Sequence, residues 1–186
     1  MTTLKTSSRE GKKRSELTKI RHEGDIPAVF YSAGEECHNL RVDGSEFRAA
    51  LRGLKLGHLP TTVFEITIGG KKQKVIVRDI QYKPTTYEIL HLDLHKLDDK
   101  RLVEVNVPIE CEGVADSVGI KLGGVLRKVK RHVKVRCLPK DMPKQFTIDV
   151  RNLAMNQSSR VNQLDIPKGV EVLLKEQDVL VVIAKK

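Results

Sequence analysis

Residues 63–80 constrain the fold more than any other stretch of the chain. Val63-Phe-Glu-Ile-Thr-Ile68 alternates apolar and polar residues, Gly69-Gly70 supplies a turn, and Lys74 to Ile80 alternates back. A period of two sends successive side chains to opposite faces of a strand. The segment therefore reads as a hairpin with one buried face, carrying Val75 and Val77 on its return strand. Short strand-length runs recur at Ala28 to Ser32, His38 to Val42 and Ile89 to Leu97. Past residue 101 they recur at Leu102 to Glu110, Val125 to Leu138, Phe146 to Val150, Val170 to Leu174 and Val179 to Ile183. Aromatic residues make up only 4% and Trp is absent, so any core must be built from Val, Ile and Leu, residues that favour pleated surfaces. The expected class is mainly β (α+β).

Two short helices fit between these strands. Ser15 is placed to cap one running through Arg21, with Gly24 as its stop, and Pro27 forces Ile26 to be extended. Asp43 or Ser45 can cap a second across Glu46 to Leu51, burying Phe47, Ala50 and Leu51. Ser32-Ala-Gly34-Glu-Glu reads as a turn, Gly113 to Gly124 as a long loop, and Arg151-Asn-Leu-Ala-Met as one helical turn. The charged run Asp98-Asp99-Lys100-Arg101 is the best boundary, giving domains 1–97 and 98–186.

Charge points to a partner. The chain carries +10, and residues 1–21 hold seven Lys/Arg against two Glu, a net +5. Arg9, Lys12, Lys13, Arg14, Lys19 and Arg21 crowd one short segment, and a polyanion is their natural partner. Structured RNA suits such a segment, whereas the bland reading is a solvated basic helix. The three cysteines, Cys37, Cys111 and Cys137, lack C-x-x-C spacing, which argues against zinc or a disulfide framework and fits a reducing cytoplasm. The N-terminus has no apolar signal-peptide region, and no apolar run reaches the roughly 18–20 residues of a membrane span.

Three further features bear on chemistry. His91-x-Asp93-x-His95 places three polar side chains on one strand face, opposite Leu90, Leu92 and Leu94. Two imidazoles and a carboxylate can hold a metal, which would make the chain a metal-dependent hydrolase. The competing readings are a satisfied polar sheet face and a hydrogen-bonding surface for RNA. Leu126 to Arg136 carries six cations and no acid, with Val133 and Val135 set to face a core. It reads equally as a second RNA contact or as charge protecting an edge strand. Gly69-Gly70 and Gly123-Gly124 precede no helix and carry no G-K-[ST], so they are turns rather than phosphate loops, and no nucleophilic triad is recognisable.

The order of several motifs resembles a known family. Arg9…Lys19-Ile-Arg21-His-Glu-Gly-Asp-Ile-Pro-Ala-Val-Phe-Tyr31, Arg78-Asp-Ile-Gln81-Tyr-Lys-Pro84 and His91-Leu-Asp93-Leu resemble bacterial large-subunit ribosomal protein twenty-five, a 5S ribosomal RNA binder. Val107-Pro-Ile, Gly113-Val-Ala, Lys121-Leu-Gly-Gly124, Cys137-Leu-Pro-Lys-Asp-Met-Pro143 and Ile148-Asp-Val-Arg-Asn-Leu153 resemble the extra domain of its long form, general stress protein CTC. The resemblance implies an N-terminal six-stranded β-barrel with short helices, docked on the RNA minor groove around loop E, and a β-rich C-terminal domain. It implies RNA contacts at Arg9, Arg14, Lys19, Arg21, Tyr31, Gln81, His91 and Asp93. It implies no catalysis, cofactor, metal, membrane or small-molecule substrate. The implied setting is the cytoplasmic ribosome, with 5S rRNA, the large subunit and neighbouring ribosomal proteins as partners. The chain departs from the family at Lys13-Arg-Ser-Glu16, where Gly-Lys-Gly-Ala is usual, at Thr18 in place of an Arg, and at Lys83 in place of a His. Lys12 or Lys13 stands near enough to replace the charge lost at Thr18.

Overall fold

The computed structural model describes residues 2–9, 13–32, 34, 36–68 and 70–185, with Lys12, Gly69 and part of the turn at 32–36 outside the described residues. The chain divides into two units, Met1–Asp98 and Asp99–Lys186.

The first unit contains β1 (Thr2–Leu4), β2 (Thr6–Ser8), α1 (Arg14–His22), β3 (Ile26–Tyr31), β4 (His38–Val42), α2 (Gly44–Arg52), β5 (Val63–Ile68), β6 (Lys71–Tyr82) and β7 (Ile89–Lys96). The sheet order is β1-β5-β6-β7-β3-β4-β2. The two edge strands are halves of one N-terminal segment broken at Lys5, so the sheet curls into a nearly closed barrel of six strands, as the resemblance implies. Their alternation is too short to be legible in the sequence. The break is held by α2: the Lys5 amide donates to Glu46 Oε2 at 3.0 Å, and its ammonium meets Glu46 Oε1 at 2.7 Å. The Thr6 hydroxyl closes the seam by donating to the Thr67 carbonyl at 2.8 Å.

Alternation fills the barrel with Ile26, Ala28 and Phe30 from β3, Leu40 and Val42 from β4, Phe64 and Ile66 from β5, Val75 and Val77 from β6, and Leu92 and Leu94 from β7. Phe47 of α2 packs among them, its ring 6.1 Å from that of Phe64. Asp43 is the cap of α2, accepting from the amides of Ser45 and Glu46 at 2.8 and 3.1 Å. Ser15 is not the cap of α1. That helix starts one residue before it, with the amides of Glu16 and Leu17 on the Lys13 carbonyl, and no side chain caps it. Its end follows the expectation: Gly24, at φ +88, donates to the Arg21 carbonyl while Asp25 donates to Ile20.

The second unit contains β8 (Val103–Glu112), α3 (Val118–Lys121), β9 (Gly124–Lys128), β10 (His132–Cys137), β11 (Phe146–Asp149), β12 (Ser158–Arg160), β13 (Val170–Val172) and β14 (Val179–Lys185). Two sheets, β11-β8-β10-β13 and β12-β14-β9, share a core that includes Val107, Val133, Val135, Ile148, Leu180 and Val181. β8 runs through Pro108 rather than ending there. The β10 ladder ends at Pro108 and the β11 ladder begins at Ile109, so the proline sits at a change of partner. The 113–124 stretch is not a plain loop: it holds a 3₁₀ turn at Val114–Asp116 and the short α3. Two of its glycines serve close packing, since a Cβ on Gly124 would lie 2.7 Å from the Gly119 carbonyl oxygen. Nor do residues 151–155 coil, because the carbonyls of Arg151 and Leu153 accept from the amides of Val118 and Gly119 at 3.1 and 3.0 Å.

The basic stretch from Val125 to Leu138 is two strands in different sheets, and β10 is an interior strand. The edge-protection reading therefore fails for β10, whereas β9, with Arg127 and Lys128 exposed, is an edge strand of its sheet. Three of the six cations of the stretch are neutralised locally: Glu104 takes Lys134 and Arg136 of β10, both at 2.8 Å, and Asp178 takes Lys130 at 2.6 Å.

Candidate nucleic-acid interface

β7 is the spine of one outer face of the barrel. Its inward residues Leu92 and Leu94 are fully buried, so His91, Asp93 and His95 must point the other way. On β3, Val29 lies opposite Asp93 and Tyr31 opposite His95. On β6, Gln81 lies opposite His91, Asp79 opposite Asp93, and Ile76 opposite His95. Three of the expected contact residues, Gln81, His91 and Asp93, thus meet at one spot, with Tyr31 two residues along.

That assembly depends on an irregularity. Val77 pairs with Leu94, yet Asp79 pairs with Asp93, which leaves Arg78 as an extra residue on β6. From Val75 and Val77, strict alternation would turn Asp79 and Gln81 into the core. One inserted residue reverses the facing of everything beyond it. Ile80 then packs on the core, and Asp79 and Gln81 join the outer face. Arg78 itself was not among the residues selected from the sequence, although its charge acts on both Tyr31 and His95. The only signal for it was the presence of three consecutive apolar residues, Val75 to Val77, on a strand that otherwise alternates.

A second irregularity docks α1. Gln81 pairs with His91 but Tyr82 with Ile89, so Leu90 is unmatched across the ladder. Its carbonyl receives both Nε and an Nη of Arg21, at 3.2 and 3.1 Å. Arg21 is thereby anchored at the rim of the β7 face, with Ile20 buried beneath the helix. Arg14 and Lys19 are exposed and, among the described residues, have no side-chain partner. Arg9 differs: it is half-buried, donates to the Leu40 carbonyl at 3.2 Å and Asn39 Oδ1 at 3.3 Å, and ties the chain to β4. Burial draws its guanidinium below the ordinary value, opposed by Glu16.

The polar groups of the face are preorganised. His91 Nδ1 lies 3.0 Å from Asp93 Oδ1, which leaves Nε2 and the second carboxylate oxygen as the outward groups. The Tyr31 ring meets His95 edge-on at 5.3 Å. Burial pushes the Tyr31 phenol up, with Arg78 acting against it. Burial, helped by Arg78 and opposed by Asp98, holds His95 below the usual imidazole value.

These contacts correct the metal reading. His91 Nδ1 is occupied by Asp93, and His95 Nδ1 is buried without a hydrogen-bond partner, so the three side chains do not converge. Among the described residues, no group of three His, Cys, Asp or Glu is arranged to hold a metal ion.

Comparison with known proteins identifies the family. Residues 4–94 match the ribosomal L25p family, and residues 102–186 match the C-terminal domain of ribosomal protein TL5. The chain is 41% identical over 183 residues to the large ribosomal subunit protein bL25 of Chlamydia pneumoniae, covering 98% of this chain and 99% of that one. Its identity to the bL25 proteins of Chlamydia trachomatis serovar L2 and Chlamydia muridarum is 42% and 40%, with the same coverage. The face built on β7 is therefore a surface of a structural, non-enzymatic protein, and the chain belongs to the ribosomal L25p family in its long form, with a TL5-type C-terminal domain.

Proposed function

We propose that this protein is a structural component of the large ribosomal subunit that binds 5S rRNA through the outer face of β6, β7 and β3 together with α1. The observation that carries this reading is the row Gln81, His91, Asp93 and Tyr31 on one rigid face, rimmed by the cations of α1. Gln81 offers an amide donor to base edges and 2′-hydroxyls, His91, with Nδ1–H given to Asp93, presents Nε2 as an acceptor for 2′-hydroxyls, and Asp93 accepts from base amino groups. Arg14, Lys19 and Arg21 neutralise phosphates on the flanking backbone, and Arg9 acts by positioning the segment that leads into α1. Two acids face each other at the centre, Asp79 and Asp93, which disfavours a uniformly anionic ligand there. A groove floor of base donors between two phosphate ridges matches that pattern, so the surface is built to read an RNA groove rather than to hold any polyanion.

The test is a gel-shift titration of the full chain against 5S rRNA at about 0.15 M salt with excess tRNA, where non-specific binding lies near 10⁻⁴–10⁻⁶ M. A shift well below that range that survives the competitor is expected. Displacement by tRNA would reduce the face to a general polyanion patch.

A further inference from the structure

A cleft of about 940 Å³ opens beside the β7 face, between the C-terminal ends of α1 and α2 and the 82–90 segment. It is at the upper end of the roughly 300–1,000 Å³ range of ligand clefts. Tyr82 and Tyr87 line it, and they are 48% and 79% exposed, the two aromatic residues among the exposed large hydrophobics of the described chain. Exposing two rings at the mouth of one cleft wastes apolar surface unless something covers them.

The surrounding charge says what kind of group that is. Arg21, His22, Arg48, Arg52 and Lys83 line the same cleft. Its two acids are already engaged: Asp25 is paired with Arg41, and Glu88 accepts from the Thr86 hydroxyl at 2.9 Å and lies 3.7 Å from Lys83. Arg48 reaches the Gly24 carbonyl at 3.2 Å, which fixes its guanidinium at the rim. The Tyr87 backbone is fixed by its neighbours. The residue adopts φ +55, its amide donates to the Lys83 carbonyl at 2.9 Å, and the Lys83 amide donates to the Glu88 carbonyl at 2.8 Å. A bulky residue in that conformation is costly and persists where surrounding bonds impose it.

We propose that this cleft seats an unpaired nucleotide of the bound RNA, its base stacked on Tyr87 and Tyr82 and its phosphate on Arg52 and Lys83. Flat rings beside cations are the recurrent design of single-strand sites, because every base has a face to stack and a phosphate attached. The cleft shares Arg21 and Leu90 with the β7 face, so a strand leaving the paired region reaches it without crossing open surface. The inference rests on the RNA-binding reading above and adds a second, sequence-tolerant contact to it.

The test uses the full chain with 5S rRNA and, separately, a five-nucleotide oligoadenylate. Both rings are exposed, so truncating them leaves the core intact. Tyr87→Ala and Tyr82→Ala should each weaken 5S binding about tenfold, and Tyr87→Phe should restore most of the loss, since the ring face does the stacking. Where the wild type selects 5S rRNA over tRNA, unchanged affinity in both alanine variants overturns the cleft and leaves the function standing. Where the wild type makes no such selection, the functional reading falls and the oligoadenylate decides. With no Trp in the chain, and Tyr31→Phe introduced to silence the tyrosine of the β7 face, emission from Tyr82 and Tyr87 reports the cleft. Quenching by oligoadenylate that is lost when Tyr87→Ala is added upholds the site, and its absence in the Tyr31→Phe protein overturns it.

Discussion

Arg78 does two jobs at one position. As the extra residue of the β6 irregularity it turns Asp79 and Gln81 outward, and as a cation it stands among Tyr31, His95 and the acids of the same face. The side chain is exposed, so its removal leaves the backbone irregularity and the fold in place. Arg78→Ala should weaken 5S binding by about 1–3 kcal/mol, measured by filter binding, with an unchanged denaturation midpoint. An unaltered affinity would remove Arg78 from the interface. A lowered midpoint would show that the guanidinium, and not the extra residue alone, maintains the strand. The His91 and Asp93 positions were legible in the sequence because alternation around Leu92 and Leu94 leaves them no other face. Gln81 was reachable only through the family resemblance, since plain alternation directs it inward.

At the scale of elements, the two helices are locked by a backbone contact that no side-chain pattern announces. Gly44 begins α2 directly against the end of α1: a Cβ there would sit 2.0 Å from the Gly24 carbonyl oxygen. Gly44→Ala should therefore force the helices apart and destabilise the first unit by about 1–3 kcal/mol in urea titration. Gly53→Ala at the other end of α2, where the nearest atom is 3.5 Å away and φ is −80, should stay within about 0.5 kcal/mol. In the second unit, the β8–β10 pairing carries an acid-sensitive link. Lys134 and Arg136 hold the Glu104 carboxyl well below its ordinary 4.5, at about 2. A depressed carboxylate stabilises the fold fully above its unfolded pKa and loses that contribution as pH falls through the folded one. Between pH 4.5 and about 2, Glu104→Gln should show a flatter loss of stability than the wild type. The two proteins should run parallel near pH 7, and equal slopes in the acid window would show the bridge to be energetically silent.

Across the whole molecule, net charge and the proposed RNA interface fall on different units. Residues 99–186 carry seventeen Lys/Arg against eleven Asp/Glu, a net +6, while residues 1–98 carry seventeen against thirteen, a net +4. In the more basic half, Lys134 and Arg136 of β10 are tied to Glu104, and Lys130 is tied to Asp178. The less basic half leaves Arg14 and Lys19 exposed beside a patterned polar face. Each unit also has a core of its own. A fragment of residues 1–98 should retain the 5S affinity of the full chain in the same gel-shift assay, and residues 99–186 should not shift the RNA. Transfer of affinity to the second fragment would overturn the assignment of the interface to the barrel.

The sequence by itself determined the β character, most strand positions, the stop of α1 at Gly24 and a cap for α2 at Asp43 or Ser45, of which the structure chose Asp43. Each of these is a local consequence of period, backbone freedom or a short polar side chain. It also carried the family, through the order of motifs from Arg9 to Leu153. What only the tertiary structure decided were matters of register and pairing. A strand irregularity at Arg78 chose the residues that share the β7 face, and another opposite Leu90 freed a carbonyl for Arg21. Partners distant in the chain turned Lys130, Lys134 and Arg136, three of the six 127–136 cations, from free charge into ion pairs. Alternation specifies which residues share a face only while the ladder is regular. One inserted residue resets it, and its cost and benefit are settled by the neighbouring strand, which local sequence does not contain.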